Sequence, residues 1–318
     1  MRVLFAGNPD IAVPSLESLY DSSHEVVGIL TNPETKAGRG LRTNSTPVAQ
    51  AALRLWGDSV PVLTFETLKS EARAAVLAIL PDILVSFAYG RIFGPRFMEL
   101  FPKGGINVHP SLLPRWRGSS PIPHAIMDKE TGISIQTIAP EMDTGELLNT
   151  HRIPLTGRET SASLSHLCAQ LAGPMVVEVL DEIENGIAES RPQLGEPTYC
   201  RKITKKDGHI DWHRTSREID ARIRAFDPWP GSFAFLRDMR LCILEAEPFD
   251  DFDPMSKAGY VTNPSPGTII AVVMQKGIII RTGDGYIAVK RLQMATRKAV
   301  GFQEFACGAR DIIGAVLH

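Results

Sequence analysis

The chain has 318 residues, with 34 Lys plus Arg against 36 Asp plus Glu and a formal charge of −2. A hydrophobic fraction of 43% with 22% charged residues excludes wholesale disorder, and the length suits two domains or one large α/β domain. Its four cysteines (Cys168, Cys200, Cys242, Cys307) form no close pair for a zinc or redox site and fit a reducing cytoplasm, while no apolar stretch looks long enough for a signal peptide or a ~20-residue membrane span.

Val3 to Ala6 reads as a short buried strand ending at the turn Gly7-Asn8-Pro9-Asp10. A helix from about Ile11 to Tyr20 and a strand over Val26 to Leu30 follow. This opening predicts an α/β fold around a mostly parallel, doubly wound sheet. Thr46-Pro47 has the form of an N-cap followed by proline at the first helical position, starting a helix to Trp56. A further helix spans Thr67 to Leu80, and Asp82 to Phe87 is a buried strand. Gly105 to Val108 is another strand, cut off by His109-Pro110. Ile133 to Ile138 and Leu147 to Ile153 form an antiparallel pair joined through Asp143-Thr144-Gly145. A long helix from Thr160 to Glu184, expected to kink at Pro174, stops before Gly186.

Residues 189–208 are rich in Pro and Gly and carry little apolar periodicity, which predicts a linker. Beyond it come a helix from about Ser216 to Phe226 and short strands over 232–237, 240–247, 267–273, 277–281 and 285–291. Gly283-Asp284-Gly285 supplies a hairpin turn between the last two. Short strands at regular spacing predict a small β-barrel. The expected division is therefore 1–188, a linker over 189–208, and a barrel domain over 209–318.

The first strand–helix turn fails the pattern G-x-G-x-x-G, and no phosphate-binding G-x-x-x-x-G-K-[ST] occurs. Nicotinamide and ATP chemistry are thereby disfavoured. Asn107 and His109 stand two apart at a strand's carboxyl end, where open α/β sheets bind ligands, and so point to one side. An amide donor beside an imidazole suits a developing oxyanion and an adjacent proton transfer. The same two residues serve equally well as strand-end caps, and the pattern leaves both open. Asp143 can orient His109 or simply form an Asx-turn. Apart from His209 and His213, four residues apart, the eight histidines show no metal-ligand spacing, and no metal is expected.

The run Asn107-Val108-His109-Pro110-Ser111-Leu112-Leu113-Pro114, with Met142-Asp143-Thr144-Gly145 some thirty residues on, resembles the folate-dependent formyltransferase family. Lys36-Ala37-Gly38-Arg39-Gly40, Arg115-Trp116-Arg117-Gly118, YCRKITKKDGHIDW from Tyr199 to Trp212, and Ile223 to Pro230 resemble the branch acting on methionyl initiator tRNA. The likeness covers about residues 1–300; Pro110 departs from it, where Gly or Ala is common. It implies a Rossmann-like catalytic domain followed by a small C-terminal OB-like β-barrel that binds tRNA. It further implies formyl transfer from 10-formyltetrahydrofolate to the amino group of methionyl initiator tRNA. Nothing in the sequence demands a dimer, so a monomer is expected, in the cytoplasm that the cysteine content suits. An amino sugar nucleotide is the alternative acceptor. The implied catalytic residues are Asn107, His109 and Asp143. Folate contacts would come from Ser111, Leu112, Leu113 and Pro114, and from Phe87, Ala88, Tyr89 and Gly90.

Charge is divided unevenly. Residues 1–198 hold 16 basic and 22 acidic side chains, a net of −6, and residues 199–318 hold 18 and 14, a net of +4. The basic half fits a polyanionic partner. Lys205 and Lys206 head a cluster with Lys202, Arg214, Arg217, Arg222 and Arg224, and Lys36, Arg39 and Arg42 occupy a Gly-flanked loop. These residues are the expected tRNA contacts. Trp212, Trp229, Phe233 and Phe235 suit base stacking, but their strand and helix patterns favour core positions.

Overall fold

The computed structural model describes residues 1–37, 42–250, 263–309 and 312–318, the side chains of 35–37, 42 and 43 excepted. The chain divides into two compact units, one of residues 1–122, 130–154 and 163–201, the other of 123–129, 155–162 and 202–318.

In chain order the elements begin with β1 (Arg2–Gly7), α1 (Val13–Tyr20), β2 (Glu25–Thr31), β3 (Thr35–Ala37), β4 (Arg42–Asn44), α2 (Pro47–Trp56), β5 (Val62–Thr64), α3 (Ser70–Ala78) and β6 (Ile83–Phe87). They continue as α4 (Pro95–Met98), β7 (Gly105–His109), β8 (Arg117–Gly118), α5 (Pro121–Asp128), β9 (Thr131–Thr137), β10 (Leu147–Ile153), α6 (Ser161–Glu184) and β11 (Tyr199–Cys200). A seven-stranded sheet runs in the order β10-β9-β7-β6-β1-β2-β5. Strands β1, β2, β5, β6 and β7 are mutually parallel, and β9 and β10 add an antiparallel edge. Near-continuous apolar runs such as Val3-Leu4-Phe5-Ala6, all buried, are what a sheet covered on both faces demands.

Thr46 caps α2 as its sequence predicts, its hydroxyl accepting from the Ala49 amide at 3.2 Å. The expected 67–80 helix is shorter, and β7 runs one residue further than expected, through His109. α6 stays one helix through Pro174. It is also long and apolar enough to cross a membrane by length and composition, contrary to the expectation that no segment would be. Leu164, Cys168, Val176, Val179 and Leu180 on it are fully buried, as a core helix requires. The short β3–β4 hairpin and β5 had no apolar run to announce them.

In the second unit lie α7 (Ser216–Ala225), β12 (Ser232–Leu236), β13 (Met239–Pro248), β14 (Ile269–Val273), β15 (Gly277–Arg281), β16 (Tyr286–Met294), β17 (Val300–Gly301) and α8 (Phe302–Gly308). The sheet order is β12-β13-β16-β15-β14, with β17 on β16. The last residues close it. Phe235 and His318 exchange two backbone hydrogen bonds, while the Leu317 amide donates to Gly267 beside β14 at 2.9 Å. This joins the two edge strands into a barrel around Leu241, Ile243, Ile269, Ile278, Ile280, Ile287 and Leu292.

Candidate active site

The site forms where β6, β7 and β9 meet at the carboxyl end of the parallel strands. Asn107 on β7 lies directly opposite Ser86 of β6 and Gln136 of β9, and His109 lies opposite Ser134. Asn107 is half-buried, and its side-chain amide has no hydrogen-bond partner among the described residues. His109 is nearly buried. Its Nε2 lies 2.8 Å from the Trp116 carbonyl, an acceptor only, so this nitrogen carries the hydrogen. Its Nδ1 faces Asp143 Oδ1 at 3.5 Å.

Asp143 sits at φ 57°, a left-handed conformation that Asp tolerates better than most residues. Its carboxylate is buried and held from three sides. Oδ2 accepts from the Gly118 amide at 2.8 Å, Oδ1 accepts from Gln136 Nε2 at 3.0 Å, and the imidazole of His109 flanks it. A second layer fixes that arrangement. Gln193 Nε2 donates to the carbonyls of Asp143 at 2.9 Å and Gly145 at 2.8 Å and to Gln136 Oε1 at 3.2 Å. Its Oε1 accepts from Arg117 Nη2 at 2.7 Å and Nε at 3.1 Å.

The segment expected as linker supplies Gln193 and more. The Trp116 amide donates to Thr198 Oγ1 at 2.9 Å, β11 pairs in parallel with β8, and the Cys200 thiol donates to the Trp116 carbonyl at 3.3 Å. Gly118 lies against that strand with φ 119°, where any Cβ would collide with the Cys200 carbonyl. Burial pushes the Cys200 thiol up to about 11, which keeps it a donor at neutral pH.

Ser111 to Pro114 make a tight loop tied to β9. The Ser134 hydroxyl donates to the Ser111 carbonyl at 2.8 Å and accepts from the Leu113 amide at 3.1 Å, while Ser111 Oγ donates to the Arg115 carbonyl at 2.6 Å. Ser111, Leu113 and Pro114 are buried, and Leu112 is half-exposed. At the end of β6, Phe87 and Tyr89 point into the core, with Tyr89 stacked on Phe93 at 5.4 Å, so both offer only backbone to a ligand. Burial raises the Tyr89 phenol above its ordinary range. Ala88 and Gly90 are exposed, and a Cβ at Gly90 would meet nothing within 4 Å. Asn8 braces this rim, accepting from Thr31 Oγ1 at 2.9 Å and the Asn32 amide at 2.8 Å and donating to the Tyr89 carbonyl.

Lys36 and Arg42 fall on the paired strands β3 and β4, while Arg39 lies outside the described residues. Lys205 and Lys206 are exposed on a 3₁₀ turn that ends at Gly208, closed by a capping box between Thr204 and Asp207. Arg214, Arg217 and Arg224 instead meet carboxylates of their own unit. Among the described residues one group could hold a metal, His24 with Asp181 and Glu184; the Met1 amino group already sits 2.7 Å from Glu184. Sequence reasoning missed Gln136 and Gln193. Gln136 was within reach, because it lies across from Asn107 in an expected strand; nothing local marks Gln193.

The Formyl transferase family model matches residues 1–180, and the model of the Formyl transferase C-terminal domain matches residues 202–310. Methionyl-tRNA formyltransferase of Treponema denticola is 42% identical, covering 98% of each chain. That of Marinobacter nauticus is 34% identical, again over 98% of each. Among solved structures, the sugar 3N-formyl transferase WlaRD superposes with a TM-score of 0.63 at 18% identity, covering 94% of this chain and 99% of its own. HypX from Aquifex aeolicus in complex with tetrahydrofolic acid gives 0.61 at 15% identity, covering 98% of this chain but 48% of the HypX chain. These two share the fold. The near-full-length likeness to the first two relatives goes further: the chain belongs to the formyl transferase family, on its methionyl-tRNA formyltransferase branch.

Proposed function

We propose that the chain transfers the formyl group of 10-formyltetrahydrofolate to the α-amino group of methionyl initiator tRNA, with Asn107, His109 and Asp143 as the groups that act on the reacting atoms. The observation carrying this reading is the open amide of Asn107 beside the buried His109–Asp143 pair, in a chain that is a full-length relative of methionyl-tRNA formyltransferases.

The residues at the strand ends fit a folate. The exposed backbone at Ala88 and Gly90, the open space over Gly90 and the half-exposed Leu112 leave room for a flat ring along the rim. The folate, when bound, supplies an amide-like formyl carbon and a nitrogen that leaves as an amine. Asn107 donates to the formyl oxygen as negative charge gathers there. His109 gives up its bond to the Trp116 carbonyl, donates from Nε2 toward the same oxygen and passes a proton between the incoming amine and the departing nitrogen. Asp143 holds the imidazole and balances its charge. No covalent enzyme intermediate and no metal is needed.

The tRNA is held by Lys205 and Lys206 on the barrel unit, together with Lys36, Arg39 and Arg42. Residues 189–208 both connect the catalytic and barrel domains and, through Gln193, Thr198 and Cys200, complete the catalytic region. The enzyme works as a cytoplasmic monomer away from membranes.

The test is a transfer assay with purified protein and 10-formyltetrahydrofolate, offering charged initiator tRNA and an amino sugar nucleotide in separate reactions. Formylmethionyl-tRNA should accumulate and the sugar should stay unmodified; transfer confined to the sugar, or none, overturns the assignment.

A further inference from the structure

The outer face of β12 carries a row of rings that the barrel core does not use. Ser232, Ala234 and Leu236 point inward and are buried, which turns Phe233 and Phe235 outward, half-exposed. The expected core position of these two phenylalanines is thereby corrected, as is that of Trp229, which is exposed; Trp212 alone of the four is in the core. The Phe233 and Phe235 rings meet edge to face at 5.8 Å. Exposed His209 lies 5.4 Å from Phe233, and exposed His318 stacks on Phe235 at 6.2 Å with 25° between planes.

Arg240 lies directly opposite Phe235 in the β12–β13 register, and its guanidinium sits 3.8 Å above the Phe233 ring. Unlike Arg214, Arg217, Arg224 and Lys290 of the same unit, Arg240 meets no carboxylate among the described residues. Its Nε is buried and has no hydrogen-bond partner among the described residues. A guanidinium held over a ring, with its Nε buried and no counter-ion among the described residues, suits an anion from outside. Lys205 and Lys206 stand on the turn that leads straight into His209. That turn is clamped to β12 by the Ile210 amide, which donates to the Phe233 carbonyl at 2.8 Å, and by Gly208, where a Cβ would collide with the Gly231 carbonyl.

We propose that His209, Phe233, Phe235, Arg240 and His318 form a subsite for an unpaired nucleotide of the tRNA, its phosphodiester on Arg240 and its base on the ring row. The proposal rests on the tRNA reading and adds a second place of contact to it. Exposed rings favour an unpaired base, because paired bases hide their faces in the helix stack, whereas Arg240 and the two lysines match the adjoining backbone charge. A duplex would engage the cations and leave the rings idle.

The experiment uses the full chain with Phe235→Leu, Phe235→Trp and Arg240→Gln, and two probes besides initiator tRNA: an unpaired oligoadenylate and a duplex RNA of equal length. Phe235→Leu keeps an apolar side chain on the strand and removes only the stacking face. It should weaken oligoadenylate and tRNA binding about tenfold, raise KM for the tRNA rather than lower kcat, and leave duplex binding and the melting temperature unchanged. Phe235→Trp should restore affinity. Arg240→Gln should flatten the dependence of log K on log salt by about one. Affinities within about twofold of the parent in both Phe235→Leu and Arg240→Gln overturn the proposal, as does an equal loss for duplex, or displacement of the tRNA from the parent by an acidic peptide alone. If the parent protein forms no formylmethionyl-tRNA, the transfer reading fails instead, and oligoadenylate binding still decides the subsite.

Discussion

The carboxyl end of β7 and the outer face of β12 both gather polar and aromatic groups on one side of a sheet, yet they are satisfied to opposite degrees. Around Asp143 both carboxylate oxygens have donors, and Gln193 uses both halves of its amide. Around Arg240 the cation is stacked but has no counter-ion among the described residues. The first arrangement is rigid because its groups are spent on one another, and only the Asn107 amide is left open toward a reactant. Catalysis gains from such preorganisation, since, apart from the bond of His109 to the Trp116 carbonyl, its groups are already in place when charge develops. The second arrangement is built to be completed by something else, which is the mark of a binding surface.

The contrast can be broken most severely at Asn107. Asn107→Ala should lower kcat by about 10²–10³ while tRNA affinity stays at the parent value, the signature of a donor used only as charge forms. Next comes Asp143→Asn. Asn accepts the left-handed backbone of this position and can still take the Gly118 amide, so the fold should stand while kcat falls by about 10². A kcat near the parent level in either variant would remove that residue from its role. Gln193→Ala tests the outer layer. Three acceptors lose their donor, so kcat should drop about tenfold with KM for the tRNA unchanged, and the melting temperature should fall by a few degrees. A lower melting temperature with unaltered kcat would reduce Gln193 to a purely structural tie.

The smallest effect concerns a thiol. Burial raises Cys200 to about 11 in the folded protein, so its stabilising contribution is whole below the ordinary thiol range and is lost as pH climbs toward 11. Labelling at pH 8 should therefore modify exposed Cys307 while sparing Cys200 and Cys168, whose thiol is pushed up to about 12. Mapping by mass spectrometry reads this directly, and prompt modification of Cys200 would show that β11 opens readily.

The parallel sheet was legible because its buried strands are continuous apolar runs, and α2 because Thr46-Pro47 is a cap with a mechanism. Asn107 and His109 could be singled out because two residues at a strand end share a face by strand geometry alone. Gln193 could not, since it reaches Asp143 across fifty residues of chain without periodicity. Its segment reads as a linker by its Pro and Gly content, although its backbone pairs with β8. Phe233 and Phe235 failed for another reason. A period of two marks a strand but is silent about which face is inward, so the inward set, Ser232, Ala234 and Leu236, looks the less apolar of the two.

The pairing of β8 with β11 also has a consequence in time. As the chain leaves the ribosome, β7 and the loop after it emerge long before Gln193, Thr198 and Cys200, whose bonds to that region span between fifty and eighty-odd residues. The candidate site is thus completed by its last-made strand, and a nascent chain ending before residue 190 would carry Asn107, His109 and Asp143 without the frame that aims them. Such a chain can own the right chemistry and still be inert.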